Sequence, residues 1–102
     1  MKVKNINGTS GSECNCGSWL KHWTNYSGQS LPASCREVTC ASAPDVGAHV
    51  QKDSATDKSW YIVPLCTKHN AKTTDLSIMD STVLVSANVS GTCAKTVARK
   101  AY

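Results

Sequence analysis

Two short stretches decide how this chain folds: Cys35-Arg-Glu-Val-Thr-Cys40 and, further on, Ile62-Val63-Pro64-Leu65-Cys66-Thr67-Lys68-His69-Asn70. The cysteines of the first are one turn apart, a spacing at which two thiolates reach a single tetrahedral ion. Cys66 and His69 stand at i and i+3, so on a helix they project from one face. Pro64 fits the end of a strand, with a helix opening near Cys66. A thiol at a helix N-terminus has a lowered pKa, which favours the thiolate that zinc requires. The two pairs together form a closed zinc site of three cysteines and one histidine.

Six cysteines in 102 residues also permit three disulfides. That solution suits an exported chain. Here Met1-Lys2-Val3-Lys4 is followed by Asn, Gly, Thr and Ser instead of an apolar run, so the expectation is a cytoplasmic protein with reduced thiols. Zinc is therefore preferred over bridges. Cys14, Cys16 and Cys93 remain, and they could join His22 or His49 around a second zinc. The alternatives left open are buried thiols, or one disulfide plus an odd cysteine.

Working outward, Ser18 is a helix N-cap candidate, Trp19 and Trp23 align at i and i+4, and Gly28 stops the segment, which predicts a helix over 17–26. On that helix His22 is expected off the tryptophan face. Residues 30–45 form a loop punctuated by Pro32 and Pro44. Val46, Ala48 and Val50 alternate with Gly47, His49 and Gln51, a strand pattern that puts His49 opposite the apolar residues. Asp53–Ser59 connects to a second strand, Trp60–Val63. Residues 66–73 are expected as a helix and 82–86 as a final strand. Residues 1–13 read as loosely ordered. The whole chain is one domain, of α+β class: a knuckle, a β-hairpin and a helix over about 33–74, with an N-terminal helix and a C-terminal strand.

A domain of this size buries roughly two-thirds of its unfolded surface. Its core is modest, with no Phe and six aromatic side chains in all. Structural zinc is worth about 10–16 kcal/mol in apparent binding energy, comparable with the entire stability of a typical domain. The net charge of +4 is unevenly spread. Setting aside Lys2, Lys4, Lys95, Arg99 and Lys100 at the two ends leaves six Lys/Arg against seven Asp/Glu, a net −1. A nucleic-acid surface would need local clustering of Lys52, Lys58, Lys68 and Lys72, or help from the ends. No stretch approaches membrane-spanning length, so no membrane partner is expected.

From Cys35 to Lys72 the pattern Cys-x4-Cys, Gly-Ala-His-Val, Ile-Val-Pro-Leu-Cys-Thr-Lys-His-Asn resembles the treble-clef ββα-metal nucleases of the HNH class, and most nearly the endonuclease VII-type resolvases. The resemblance covers about 40 residues and rests on short motifs. It implies that Cys35, Cys40, Cys66 and His69 are the structural zinc ligands, His69 standing where the family usually has Cys. It implies His49 as the general base that activates water, and Asn70 as a ligand of a catalytic Mg2+. One departure counts heavily. Ala48 replaces the family's Asp, the charged ligand that a hard divalent cation needs, and without that metal the scissile phosphate loses its main stabiliser.

Three functions follow. The first is a non-catalytic nucleic-acid-binding finger, which Ala48 favours. The second is a metal-dependent endonuclease with His49 as base. The third is a zinc-stabilised module that binds a protein partner. Oligomeric state is not fixed by any of these features.

Overall fold

A computed structural model describes residues 1–6, 14, 16–53 and 56–88. Within them lie strand β1 (Lys2–Asn5), helix α1 (Trp19–Ser27), strands β2 (Val46–Lys52) and β3 (Tyr61–Leu65), the one-turn helix α2 (Thr67–Asn70), and strands β4 (Leu76–Ser77) and β5 (Val85–Ser86). The strands form one antiparallel sheet in the order β4-β1-β2-β3-β5.

The expected hairpin is its centre. β2 pairs with β3 from Val46↔Leu65 to Val50↔Tyr61, with Ala48 opposite Val63 and His49 opposite Ile62. Because strand side chains alternate between faces, this register sorts the sheet into two cores. On one face Val3, Ala48, Val50, Val63, Leu65 and Leu76 pack with Ile78 and the buried Cys35 and Cys66. On the other, Ile62 and Val85 pack with Trp23, flanked by Trp19, Val83 and Ala87. The loop at 35–40 and α2 belong to the first face, and α1 covers the second.

Helix α1 begins and ends on the expected residues. Ser18 accepts from the Lys21 backbone N–H at 3.0 Å, and Gly28 closes the helix in the left-handed conformation at φ 73°. The Trp23 indole donates to the Val83 carbonyl at 2.9 Å, tying the helix to the chain entering β5. α1 also sits unusually close to β2: a Cβ on Gly47 would lie 2.5 Å from the Trp19 carbonyl oxygen and 2.6 Å from the Leu20 backbone nitrogen.

Several expectations are corrected. Residues 2–5, expected to be loosely ordered, are a strand held between β2 and β4. Its single apolar residue, Val3, is buried, so long-range pairing overrides a weak local signal. The helix after Cys66 is shorter than 66–73. The Ala71 N–H is shared among the Thr67, Lys68 and His69 carbonyls, and the Asn5 side-chain amide donates at 2.9 Å to both the His69 and Lys72 carbonyls. Those carbonyls are thereby satisfied without another helical turn. Pro64 lies inside β3 rather than at its end. Its carbonyl accepts the Arg36 N–H at 3.0 Å, beyond the point where β5 stops pairing at Ile62, so its missing N–H costs no ladder bond. The last strand is only Val85–Ser86.

Candidate metal centres

The first centre is built by backbone stitching. The Cys35 N–H donates to the Ser42 carbonyl at 2.7 Å and the Cys40 N–H to the Glu37 carbonyl at 3.1 Å, closing the loop into a knuckle. The Arg36 and Asp45 amides bind the Pro64 and Leu65 carbonyls, anchoring that knuckle to the end of β3. Asp45 Oδ2 accepts from the Thr67 N–H at 3.1 Å and so fixes the start of α2. Cys66 is the N-cap of that turn, its sulfur accepting from the His69 N–H at 3.5 Å.

These constraints bring Cys35, Cys40, Cys66 and His69 together, with one ligand atom from each lying within 4.8 Å of all the others. The Cys40 and Cys66 sulfurs are 3.8 Å apart, and His69 Nδ1 lies 3.7 Å from Cys35 Sγ and 3.1 Å from Cys66 Sγ. A tetrahedral zinc with bonds of roughly 2.3 Å to sulfur and 2.0–2.1 Å to nitrogen has edges of about 3.8 Å and 3.5 Å. The donor set fits that ion. Burial pushes the Cys35 thiol up to about 11, whereas the Ser42 backbone amide lowers Cys40. Three converging thiols can ionise together only beside a compensating cation. The other ring nitrogen of His69, Nε2, points at Glu37 Oε1 from 3.7 Å. The Glu37 carboxyl is itself held below the usual range, chiefly by the Thr39 hydroxyl. A carboxylate behind a ligating imidazole orients the ring and raises its basicity.

A second group lies on the α1 face: Cys14, Cys16 and His22, again with ligand atoms within 4.8 Å of one another. The sequence left His22 and His49 as alternative partners for Cys14 and Cys16, and it is His22 that meets them. The expectation that His22 stands apart from the tryptophans is corrected. It is fully buried, edge-on to Trp19 at 4.9 Å between ring centroids, because i and i+3 share a helix face. Cys93 lies outside the described residues.

His49 is enclosed by aromatic rings. The His49 side chain is on the α1 face, as the alternation predicted, but that face is covered. Its ring packs edge-on against Trp19 and Trp60 at 4.5 and 6.1 Å, and it is 7 % exposed. Burial, with a smaller contribution from His22, pushes its pKa below the usual imidazole value. Asn70 is the last residue of α2, its N–H donating to the Cys66 carbonyl at 2.9 Å, and Ala48, next to His49 on β2, packs in the apolar core of the other face. Glu37, Ser86 and Asn5 all support these groups and were not singled out from sequence, and Asp45, a carboxylate at the end of the hairpin, caps the start of α2. Only Glu37, an acid inside the Cys-x4-Cys turn, carried a local hint.

The chain matches no protein-family model, no curated protein and no solved structure. Among the described residues, no helix is long and apolar enough to cross a membrane.

Proposed function

We propose that this is a zinc-stabilised treble-clef module of HNH-like descent that has no catalytic centre and binds nucleic acid through its lysine-bearing edge. The observation carrying the first half is the donor set Cys35, Cys40, Cys66 and His69, joining a knuckle to the helix that follows a β-hairpin. Zinc is the ion favoured by three thiolates and an imidazole at tetrahedral distances.

Absence of catalysis is supported by the same geometry. An HNH-type reaction needs an accessible base beside a hard cation, and here the His49 ring is enclosed by Trp19 and Trp60, with Ala48 in the apolar core where a carboxylate would bind Mg2+. Nucleic-acid binding is supported by the double hydrogen bond from Asn5 to α2. It ties the strand carrying Lys2 and Lys4 to the turn carrying Lys68 and Lys72, all four of them exposed. Because Lys2 and Lys4 alternate with the buried Val3, the two pairs flank the Asn5 junction from opposite sides of the sheet. Lys52 is not available to this edge in the same way, since it pairs with Asp57 at 3.2 Å.

The test is fluorescence anisotropy with labelled duplex and single-stranded DNA and RNA across a salt series. If four lysines each displace a counterion on a duplex, log K should fall against log salt with a slope of about −3.6, and the double substitution Lys68→Gln, Lys72→Gln should remove about half of it. No binding at low salt would end the nucleic-acid reading. Supercoiled plasmid should stay intact in Mg2+ or Mn2+, and nicking abolished by His49→Ala would restore the endonuclease alternative.

A protein partner is the second reading, and charge favours it. A zinc site with three thiolates sets three negative charges against a dication, which makes the near-neutral body more acidic once loaded. Val38 on the knuckle and Leu31 before it are both exposed apolar side chains. Recovery of one stoichiometric protein by the zinc-loaded chain, with no salt-dependent nucleic-acid binding, would replace the first reading with this one.

A further inference from the structure

The α1 face holds a histidine whose two nitrogens have been given different tasks. His22 Nε2 lies 2.9 Å from the Ser86 carbonyl, which can only accept, so Nε2 carries the proton. Nδ1 is therefore a lone pair, and it faces Cys16 Sγ at 3.6 Å, close to the sulfur–nitrogen edge of about 3.5 Å in a tetrahedral zinc site. Cys14 Sγ completes a triangle in which every ligand atom lies within 4.8 Å of the others. The first centre uses the same arrangement, with Nδ1 turned inward and Nε2 toward an oxygen. Here the second partner is a backbone carbonyl, the common orienting group for a ligating imidazole.

We propose that Cys14, Cys16 and His22 Nδ1 bind a second zinc ion. The described cysteines, with His22 and His69, are then divided between two sites, and His49 stays in the aromatic core. The ion joins the chain entering α1 to the helix itself, and the ring it uses is tied to β5 by the Ser86 carbonyl. It lies across the sheet from the first centre and does not depend on what the protein binds.

The test begins with elemental analysis of untagged protein purified under reducing conditions. Two zinc ions per chain are expected, falling to one in Cys14→Ser and in His22→Ala. Because either substitution could disturb α1, the first centre is followed separately by cobalt substitution. Its thiolate-to-cobalt absorption should persist in these variants, and one cobalt should still bind. In the native zinc protein Cys14 and Cys16 should resist alkylation at least tenfold more than in His22→Ala. One zinc per chain in the wild type, with Cys14 and Cys16 alkylated as fast as in the His22 variant, would overturn the site.

Discussion

Substituting Gly47 by Ala should separate the two faces of the sheet. Gly47 lies on β2 beneath the first turn of α1, and an added methyl would press on the Trp19 carbonyl carbon, 2.5 Å from the Trp19 oxygen and 2.6 Å from the Leu20 nitrogen. Ordinary contact begins at 3.4 Å, so the helix would have to retreat by on the order of 1 Å. The obstructing atoms are backbone, and no side-chain rotation relieves them. Overpacking of this kind costs about 1–3 kcal/mol, which for a domain of this length lowers the melting temperature by roughly 4–24 °C. The displacement should also move His22, which α1 carries, relative to the Ser86 carbonyl on β5 that orients its ring. Metal affinity should therefore drop at the second centre and stay unchanged at the first, which is held by the opposite face. Differential scanning calorimetry and cobalt titration of wild type and Gly47→Ala measure both effects. A variant as stable as wild type to within about 0.5 kcal/mol would show that α1 does not pack on β2 at this position.

Removing metal tests the first centre directly: a strong chelator should abolish cooperative unfolding, because the binding energy of about 10–16 kcal/mol exceeds what this small core supplies, and retention of the folded circular dichroism spectrum after complete zinc loss would contradict it. His69→Cys should keep zinc and fold, whereas Cys35→Ser should lose both, as read by zinc content and melting temperature. Asn5→Ala removes two hydrogen bonds from the end of α2 and should cost about 1–3 kcal/mol in chemical denaturation; a neutral result would mean that water replaces the amide without loss. His49 should titrate below 6.5 by NMR, since burial disfavours its cation. The unfolded chain then binds the extra proton first, so His49 contributes stability that is complete above about pH 6.5 and declines as pH falls toward its folded value. His49→Phe should flatten that part of the pH–stability curve, and an unaltered curve would place the titration elsewhere.

What could be foreseen from sequence depended on whether the determining interactions were local. The knuckle ligands were legible because tetrahedral zinc demands closely spaced pairs, and Cys35–Cys40 and Cys66–His69 supply them. Helix α1 was legible because Ser18 and Gly28 mark its ends, and the central hairpin because Val46, Ala48 and Val50 alternate. β1 was not. Lys-Val-Lys-Asn has one apolar residue, and only pairing with β2 and β4 across the chain makes it a strand. His22 was hidden for a related reason. Its burial is set by Trp19 on one side and by the Ser86 carbonyl, 64 positions away, on the other. The same non-local pairing has a functional consequence. Alternation alone puts His49 opposite Ala48, but it cannot tell whether the face so chosen is open or covered. Once α1 closes over it, the imidazole is walled in by Trp19 and Trp60, while on the other face Asn5 ties β1 to the end of α2. The hairpin thus separates two cysteine–histidine groups, one on each face, and the face that α1 covers is the one that holds His49.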